Sequence, residues 1–138
     1  MTRTFSYLTR LSALLLTTLA CRETTAPVAR ESCVGPVQMA VRTESTPVFS
    51  WSPGCGVSHL WVVTVPSAPG VSEEIMWSFS LPESTPIGPG IRYGDTPIGI
   101  RFWTPPRALV AGASYRVRVM QTVGEDVVVA GGEKVFTR

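Results

Sequence analysis

Hydrophobic and polar positions alternate along much of the chain after Cys21, and no stretch there keeps a helical period. Proline or glycine recurs every few residues and would interrupt any longer element. Runs that alternate, or that are apolar and β-branched throughout, predict seven or so short strands. These runs cover residues 37–41, 48–51, 59–65, 74–81, 98–102, 115–119 and, in two pieces, 127–130 and 135–136.

The alternation also predicts which way the strands face. The run 59–65 is apolar on both faces, as in a central strand. Arg116 and Arg118 fall on a wet face, where arginines are solvated or pair with acids on neighbouring strands. Residues 82–90 predict a loop, and Gly131-Gly132 a bulge or tight turn. One face of the run 74–81 carries Ile75, Trp77, Phe79 and Leu81, and the other carries Met76, Ser78 and Ser80. Strands at this spacing predict an all-β fold, a single antiparallel β-sandwich.

Two segments resemble the fibronectin type III family. Residues 109–119, LVAGASYRVRV, are similar to its signature of a leucine, a small turn with glycine, a tyrosine and alternating valines. Residues 49–53, FSWSP, resemble the strand in which a core tryptophan precedes a proline. The resemblance covers residues 36–138 and implies an immunoglobulin-like sandwich, with Trp51 in the core and Leu109 and Tyr115 in a tyrosine corner. The cysteine pair and residues 82–95 depart from the family pattern, and the fold alone implies no single activity.

The first 20 residues have the pattern of an export signal. Arg3 and Arg10 precede about ten mostly apolar residues, 11–20, which suit a signal-peptide core but fall short of a bilayer span. Residues 18–21, TLAC, resemble the bacterial lipobox, although leucine is usual at the position of the first threonine. The resemblance implies that Cys21 is diacylated and becomes the mature N-terminus. An ordinary secretory signal that leaves a free protein is the alternative.

Cleavage after residue 20 would leave residues 21–35 as lipid anchor and tether, and residues 36–138 as the sandwich. The chain has 12 Lys+Arg and 10 Asp+Glu, and two arginines leave with the signal, so the mature chain is formally neutral. Net charge therefore does not steer binding, and no nucleic-acid partner is expected. Two acyl chains give stable membrane anchoring. Arg22 replaces the aspartate that the lipoprotein resemblance associates with inner-membrane retention, so we expect the outer membrane.

With Cys21 assigned to the lipid, Cys33 and Cys55 remain as a pair. An even remainder in an exported chain favours a disulfide. A hairpin turn near Glu44 or Ser45 would place these two cysteines opposite each other at the open end of the hairpin. Closing a loop of about 20 residues would stabilise the fold by about 3 kcal/mol. A metal site is the alternative, but it needs more ligands than the single histidine, His59, supplies.

Few residues suggest catalysis. Acyl transfer needs a nucleophile, a base and an acid that converge, whereas alternation along a strand would send the adjacent Ser58 and His59 to opposite faces. The chain contains no G-x-S-x-G motif. The pairs Glu73-Glu74 and Glu125-Asp126 could suggest glycosidase chemistry, but they sit beside turn residues, where solvated loop charge is the commoner role. We therefore expect no enzyme, no metal and no cofactor. An envelope hydrolase that uses His59 is the least favoured alternative.

The tryptophans are more informative about binding. Trp51, together with Trp77 or Trp61, is expected in the core. Trp103, which is followed by two prolines, is the best candidate for an exposed aromatic. With Arg92 and Tyr93 it could form a platform for sugar rings or a partner protein. Packing of Trp103 under the proline loop is the alternative.

These expectations together describe a non-catalytic, exported lipoprotein of the bacterial cell envelope. Its sandwich would serve protein binding, adhesion or scaffolding. Its partners would be the membrane, through the lipid on Cys21, and an envelope protein or glycan. A carbohydrate-binding accessory module is the main alternative.

Overall fold

The computed structural model describes residues 30–124 and 127–138. The predicted signal peptide, Cys21, most of the tether and Glu125-Asp126 lie outside the described residues. The described part is all-β and contains nine strands. They are β1 (Gly35–Pro36), β2 (Gln38–Arg42), β3 (Val48–Ser52), β4 (His59–Thr64), β5 (Ile75–Ser80), β6 (Ile91–Arg92), β7 (Phe102–Thr104), β8 (Ser114–Val123) and β9 (Val127–Thr137).

The strands form two sheets, which confirms the predicted all-β, sandwich-like architecture. The large sheet has six strands in the order β1-β9-β8-β4-β5-β7, and the small sheet has three in the order β2-β3-β6. Neighbouring strands are antiparallel except β1 and β9, which run parallel. The apolar run 59–65 forms β4, which lies between β5 and β8 in the middle of the large sheet.

One hydrophobic core lies between the two sheets. Phe49 of the small sheet stacks on Trp77 of the large sheet, with ring centroids 6.3 Å apart. Phe49 also contacts Phe136 at 5.6 Å, and Trp77 meets Phe79 edge-on at 5.2 Å. Each of these strands turns alternate side chains inward, so large aromatic rings from both sheets meet and exclude water.

A β-bulge changes the predicted facing of β5. The register with β4 shifts between Val62, which pairs with Trp77, and Val63, which pairs with Ile75. The extra residue, Met76, is buried, whereas Ile75 is exposed on the outer face. The prediction that Ile75 shares the inward face of Trp77 is therefore wrong, because a bulge inverts the alternation at that point.

The run 98–102 is not the predicted strand. Ile98 lies in a turn with its side chain 96% exposed, and the strand β7 begins only at Phe102. The sequence pattern did not predict β6, because a strand of two residues is too short to show alternation.

Gly131 and Gly132 do not form the predicted bulge or turn. β9 runs straight through both glycines, and the register shift in the β8–β9 ladder lies between Gln121 and Thr122. The two glycines instead allow the backbone at Val37 to lie close against β9. The Val37 N–H donates to the Gly131 carbonyl oxygen at 3.0 Å, and a Cβ on Gly132 would collide with the Val37 backbone.

The predicted disulfide between Cys33 and Cys55 is confirmed, with a Cα–Cα distance of 4.9 Å. The geometry behind that prediction is wrong, because Cys33 does not continue the β2–β3 hairpin. The chain before β2 belongs to the large sheet, and Ser32 pairs in parallel with Gly56. The Cys33 N–H donates to the Gly56 carbonyl oxygen, and the Gly56 N–H donates to the Glu31 carbonyl oxygen, both at 2.8 Å. Among the described residues, the first backbone pairing is therefore at Glu31, within the stretch assigned to the tether.

Candidate functional site

The outer face of the large sheet carries the candidate site. β4 turns Leu60 and Val62 into the core and presents His59, Trp61 and Val63 on the opposite side, in accordance with strand alternation. Within the described residues, the small sheet covers only the inner face, and no second layer covers the apolar residues on the outer face. In the run 59–65, one apolar face therefore packs in the core, and the other apolar face lies on the outside of the sheet.

Trp61 lies at the centre of this face. It pairs with Ser78 on β5 and with Arg118 on β8. Its ring stacks on His59, two residues earlier, with the centroids 5.4 Å apart and the planes 12° from parallel. Trp61 is half-buried rather than in the core, where Trp51 and Trp77 are buried.

A network of ion pairs borders Trp61. The Glu73 carboxylate accepts hydrogen bonds from Arg116 Nη1 at 2.7 Å and from Arg118 Nη1 and Nη2 at 2.7 and 3.0 Å. Arg118 Nε also donates to Glu133 Oε2 at 3.0 Å, across the β8–β9 pairing. The arginine side chains are only 25% and 36% exposed, so their aliphatic parts lie against the sheet. Arg116 and Arg118 thus pair with Glu133 on β9 and with Glu73 in the loop before β5.

These pairs shift the ionisation of their members. The hydrogen bond from Arg118 lowers the pKa of Glu73, and the charges of Arg118 and Arg116 act in the same direction. The hydrogen bonds that Arg118 makes to Glu73 and Glu133 raise the pKa of its guanidinium. Glu73 and Arg118 are therefore charged at neutral pH, and the network joins two acidic and two basic side chains. Glu74 makes a separate ion pair with Arg107, which raises the pKa of Arg107.

Glu73 and Glu74 lie in the loop before β5, as predicted, and Glu74 is exposed, but each forms an ion pair and Glu73 is only 29% exposed. Both precede β5, and the sheet brings arginines from distant parts of the chain to them.

Beside the network the surface is concave. A groove of about 380 Å³ is lined by apolar and charged side chains together. Its lining residues are Trp61, Val63, Glu73, Ile75, Arg118 and Met120. The bulge in β5 brings Ile75 to this groove. The apolar floor could contact apolar side chains of a bound partner. The ion-paired side chains at its edge hold fixed positions and could form hydrogen bonds with that partner.

Ser58 and His59 are closer than alternation predicted. Ser58 precedes β4, and its Oγ lies 2.8 Å from His59 Nδ1, so the argument that their side chains diverge is wrong. Ser58 is fully buried, and its Oγ accepts a hydrogen bond from the Thr122 N–H at 3.2 Å. In this arrangement the hydroxyl holds together β4 and β8, and a substrate in solvent does not reach it.

The predicted platform residues lie on different sheets. Trp103 is on the edge strand β7 and is 47% exposed. Arg92 ends β6 in the small sheet and is exposed. Tyr93 packs edge-on against Trp77 at 5.3 Å, and its hydroxyl lies 2.7 and 3.0 Å from the Arg107 and Met76 carbonyl oxygens. Burial raises the pKa of Tyr93 to about 12.

Trp51, Leu109 and Tyr115, on which the fibronectin type III resemblance was based, lie in the core or pack against it. Trp51 is buried and its Nε1–H donates to the Cys55 carbonyl oxygen at 2.8 Å. Leu109 packs against the core, and the buried Tyr115 accepts a hydrogen bond from the Val110 N–H at 2.8 Å.

The chain was compared with protein-family models, curated proteins and solved structures, and none of the three comparisons found a match. Among the described residues, no cluster of three or more histidine, cysteine or acidic side chains is arranged to hold a metal ion. The same residues include no helix with the length and apolar character needed to cross a bilayer.

Proposed function

We propose that this protein is a lipid-anchored envelope protein whose sandwich binds a protein partner through the outer face of the large sheet. The observation that carries the proposal is Trp61, half-buried at the middle of that face beside a groove. Trp61 is bordered by the ion pairs of Glu73 with Arg116 and Arg118. The other face of this sheet packs into the core. Leaving aromatic and apolar area exposed to water at the centre of the outer face costs free energy, and a bound partner would remove that cost.

The composition of the face favours protein as the partner class. Tryptophan, arginine and methionine are enriched at protein interfaces, and binding energy concentrates on central aromatic and arginine side chains. Trp61, Arg118 and Met120 share this groove. Because Arg118 is held by Glu73 and Glu133, little side-chain entropy remains to be lost when a partner binds.

We further propose the immunoglobulin-like, fibronectin type III-like form of the sandwich. The small sheet formed by β2, β3 and β6, opposite a large sheet centred on β4 and β8, supports this. The hydrogen bond between Tyr115 and Val110 supports it as well, because a tyrosine corner needs a hydroxyl bonded to backbone a few residues upstream.

The proposed location is the bacterial outer membrane, with Cys21 as the lipid attachment site. The TLAC motif at residues 18–21 supports the anchor. The bridge between Cys33 and Cys55 supports export, because disulfides persist in oxidising compartments.

Site-specific photo-crosslinking in intact cells tests the binding proposal. A photoreactive amino acid replaces Trp61 on the proposed face, and in a matched chain it replaces Val110, which is exposed at the end of the sandwich. A discrete protein adduct from position 61 and none from position 110 is expected, and Trp61→Ala should lose the partner in a pull-down. Equal or absent labelling at position 61 would contradict the proposal. For the anchor, Cys21→Ala should release the protein from membranes and remove its lipid mass.

A carbohydrate-binding module remains the second candidate because Trp103 is 47% exposed on an edge strand. A flat exposed aromatic ring can stack on a sugar ring. Glycan-dependent quenching of tryptophan fluorescence that disappears in Trp103→Ala would favour this candidate over protein binding.

A further inference from the structure

Trp61 divides the outer face of the large sheet into two unlike halves. One row of paired residues crosses this face, and it consists of Glu133 on β9, Arg118 on β8, Trp61 on β4, Ser78 on β5 and Thr104 on β7. Residues that pair directly in antiparallel strands project from the same face of a sheet. Long charged side chains therefore stand on one side of the tryptophan, called here the charged half. Short hydroxyl side chains stand on the other side, called here the hydroxyl half.

The charged half has hydrogen-bond donors to spare. Arg118 donates two hydrogen bonds to Glu73 and one to Glu133. A guanidinium carries five N–H donors. Within the described residues, two donors of Arg118 are therefore available to another molecule, and its side chain is 36% exposed. The ion pairs hold the guanidinium in place without using all of its hydrogen-bonding capacity.

The hydroxyl half is low and also has capacity to spare. Ser78 Oγ donates a hydrogen bond to Thr104 Oγ1 at 3.0 Å, and both side chains are half-buried. Ser78 Oγ can still accept a hydrogen bond, and the Thr104 hydroxyl can still donate one. The two halves are therefore complementary, because a guanidinium can donate to Ser78 and a carboxylate can accept from Thr104.

We propose that the partner of the outer face is a second copy of this chain, related by a two-fold axis close to the direction of β4. This inference rests on the proposed function, because it names the partner of the same face. Rotation about that axis lays the charged half of each copy on the hydroxyl half of the other. Arg118 then faces Ser78 of the other copy, and Glu133 faces its Thr104. The two Trp61 rings meet at the axis, with long side chains opposite short ones on both sides.

Charge decides the direction of the axis. A two-fold axis along the row would put Arg118 opposite Arg118 and Glu133 opposite Glu133. Like charges that face each other across an interface cost free energy. An axis close to β4 avoids both encounters. It also keeps the strands of the two sheets nearly aligned, as in other face-to-face packings of twisted sheets.

The face is large enough for a dimer. β4 has six residues and lies in the middle of the five neighbouring strands β9, β8, β4, β5 and β7. At about 3.4 Å per residue and about 4.8 Å per strand, the area over β4 measures roughly 500 Å² in each copy. Two copies would bury about 1,000 Å² in total, the lower limit of a specific interface, so we expect a weak, reversible dimer. The formal net charge of +2 adds little repulsion between copies.

Photo-crosslinking from position 61 in intact cells identifies the partner by the mass of the adduct. The inference predicts an adduct with the mass of two chains, in which both peptides come from this protein. An adduct with a different protein alone would overturn the dimer and leave the proposed function intact. The absence of any adduct would contradict both.

Substitutions at Thr104 test the two-fold arrangement. Within one chain, Thr104 lies four strand spacings from Glu133, about 19 Å. In the dimer the two positions face each other, so Thr104→Glu should lower the association constant at least tenfold, because it sets two carboxylates together. Thr104→Lys is the matched control. It loses the same hydroxyl but gains an ion pair with Glu133, and should leave the association constant unchanged or raise it.

Sedimentation equilibrium of the purified full chain, in detergent where it carries lipid, measures the association constant. Trp61→Ala should lower it at least tenfold, whereas Val110→Ala, at an exposed position away from this face, should not change it. Should Trp61→Ala fail to fold, the Thr104 pair decides. Equal effects of Thr104→Glu and Thr104→Lys would overturn the inference. So would a wild-type chain that stays monomeric up to about 100 μM, beyond the range of a weak specific dimer.

Discussion

The hydroxyl of Tyr115 accepts a hydrogen bond from the backbone N–H of Val110, five residues earlier, at 2.8 Å. Tyr115 is 2% exposed, so its ring fills the core while its hydroxyl reaches the turn that precedes β8. The ring and the turn are thereby joined by a contact that is local in sequence.

We expect Tyr115→Phe to destabilise the protein by about 1–3 kcal/mol, because the Val110 N–H loses its acceptor in a half-buried turn. Urea unfolding followed by tryptophan fluorescence measures this. The matched control is Ser114→Ala, which removes an exposed hydroxyl next to it and should change stability by no more than about 0.5 kcal/mol. Equal effects of the two substitutions would show that the tyrosine hydroxyl contributes nothing specific.

The disulfide should contribute a comparable amount. The bridge closes a separation of 22 residues, for which the chain-entropy account gives about 3 kcal/mol. Cys33→Ala with Cys55→Ala should lower the free energy of unfolding by about that amount while keeping the β spectrum in circular dichroism. Mass spectrometry of the native protein should find no free thiol at either position. Two free thiols in the native protein, or an unchanged urea midpoint in the double variant, would refute this expectation.

The ion pairs of Glu73 predict a specific pH dependence. The arginines lower the pKa of Glu73 below the ordinary glutamate value of 4.5. A lowered pKa in the folded state stabilises the fold above the unfolded-state pKa, and that contribution disappears as the pH falls through the folded-state value. Glu73→Gln should therefore lower the urea midpoint at neutral pH and have a shrinking effect below about pH 4.

The control for this prediction is Glu83→Gln, which removes the charge of an exposed loop glutamate. It should have little effect at any pH, because isolated surface charges contribute little to stability. A difference between Glu73→Gln and the wild type that stays constant from neutral to acidic pH would contradict the assignment.

Gly132 should tolerate no side chain. A Cβ at this position would collide with the Val37 carbonyl and side chain, so Gly132→Ala must displace the segment between β1 and β2. We expect a loss of about 1–3 kcal/mol, the usual cost of overpacking. Gly131→Ala is the matched control, since its Cβ would lie 3.3 Å from the Val119 carbonyl oxygen and needs only a small adjustment. A Gly132→Ala protein as stable as Gly131→Ala would contradict the close approach.

Local pattern predicted most of the strands because alternation has the same physical cause wherever it occurs. A strand with one buried face repeats every two residues, and this is how β2, β3 and β8 were found. The same rule failed for Ile75, because one extra residue at Met76 inverts the facing. A bulge is set by the pairing of β4 with β5, which the residues of β5 alone do not reveal.

The candidate site illustrates a similar limit. Trp61 lies in a run that is apolar on both faces, and that pattern fits a strand buried on both sides as well as one with an apolar surface. The interaction of Glu73 with Arg116 and Arg118 spans more than 40 positions of the chain. Local pattern marked Glu73 as a loop charge because it carries no information about residues that folding brings near.

By itself, the sequence determined the strand-rich character of the chain and the bridge between Cys33 and Cys55, and the resemblance to fibronectin type III implied the buried positions of Trp51 and Tyr115. The first two follow from side-chain periodicity and from cysteine chemistry, both of which act over short distances. Only the tertiary structure decided that Cys33 reaches Cys55 from the large sheet and that Ile75 and Trp61 share a groove. Those relationships depend on how strands from distant parts of the chain pair and stack, because the free energy of pairing depends on the whole sheet and not on any one strand.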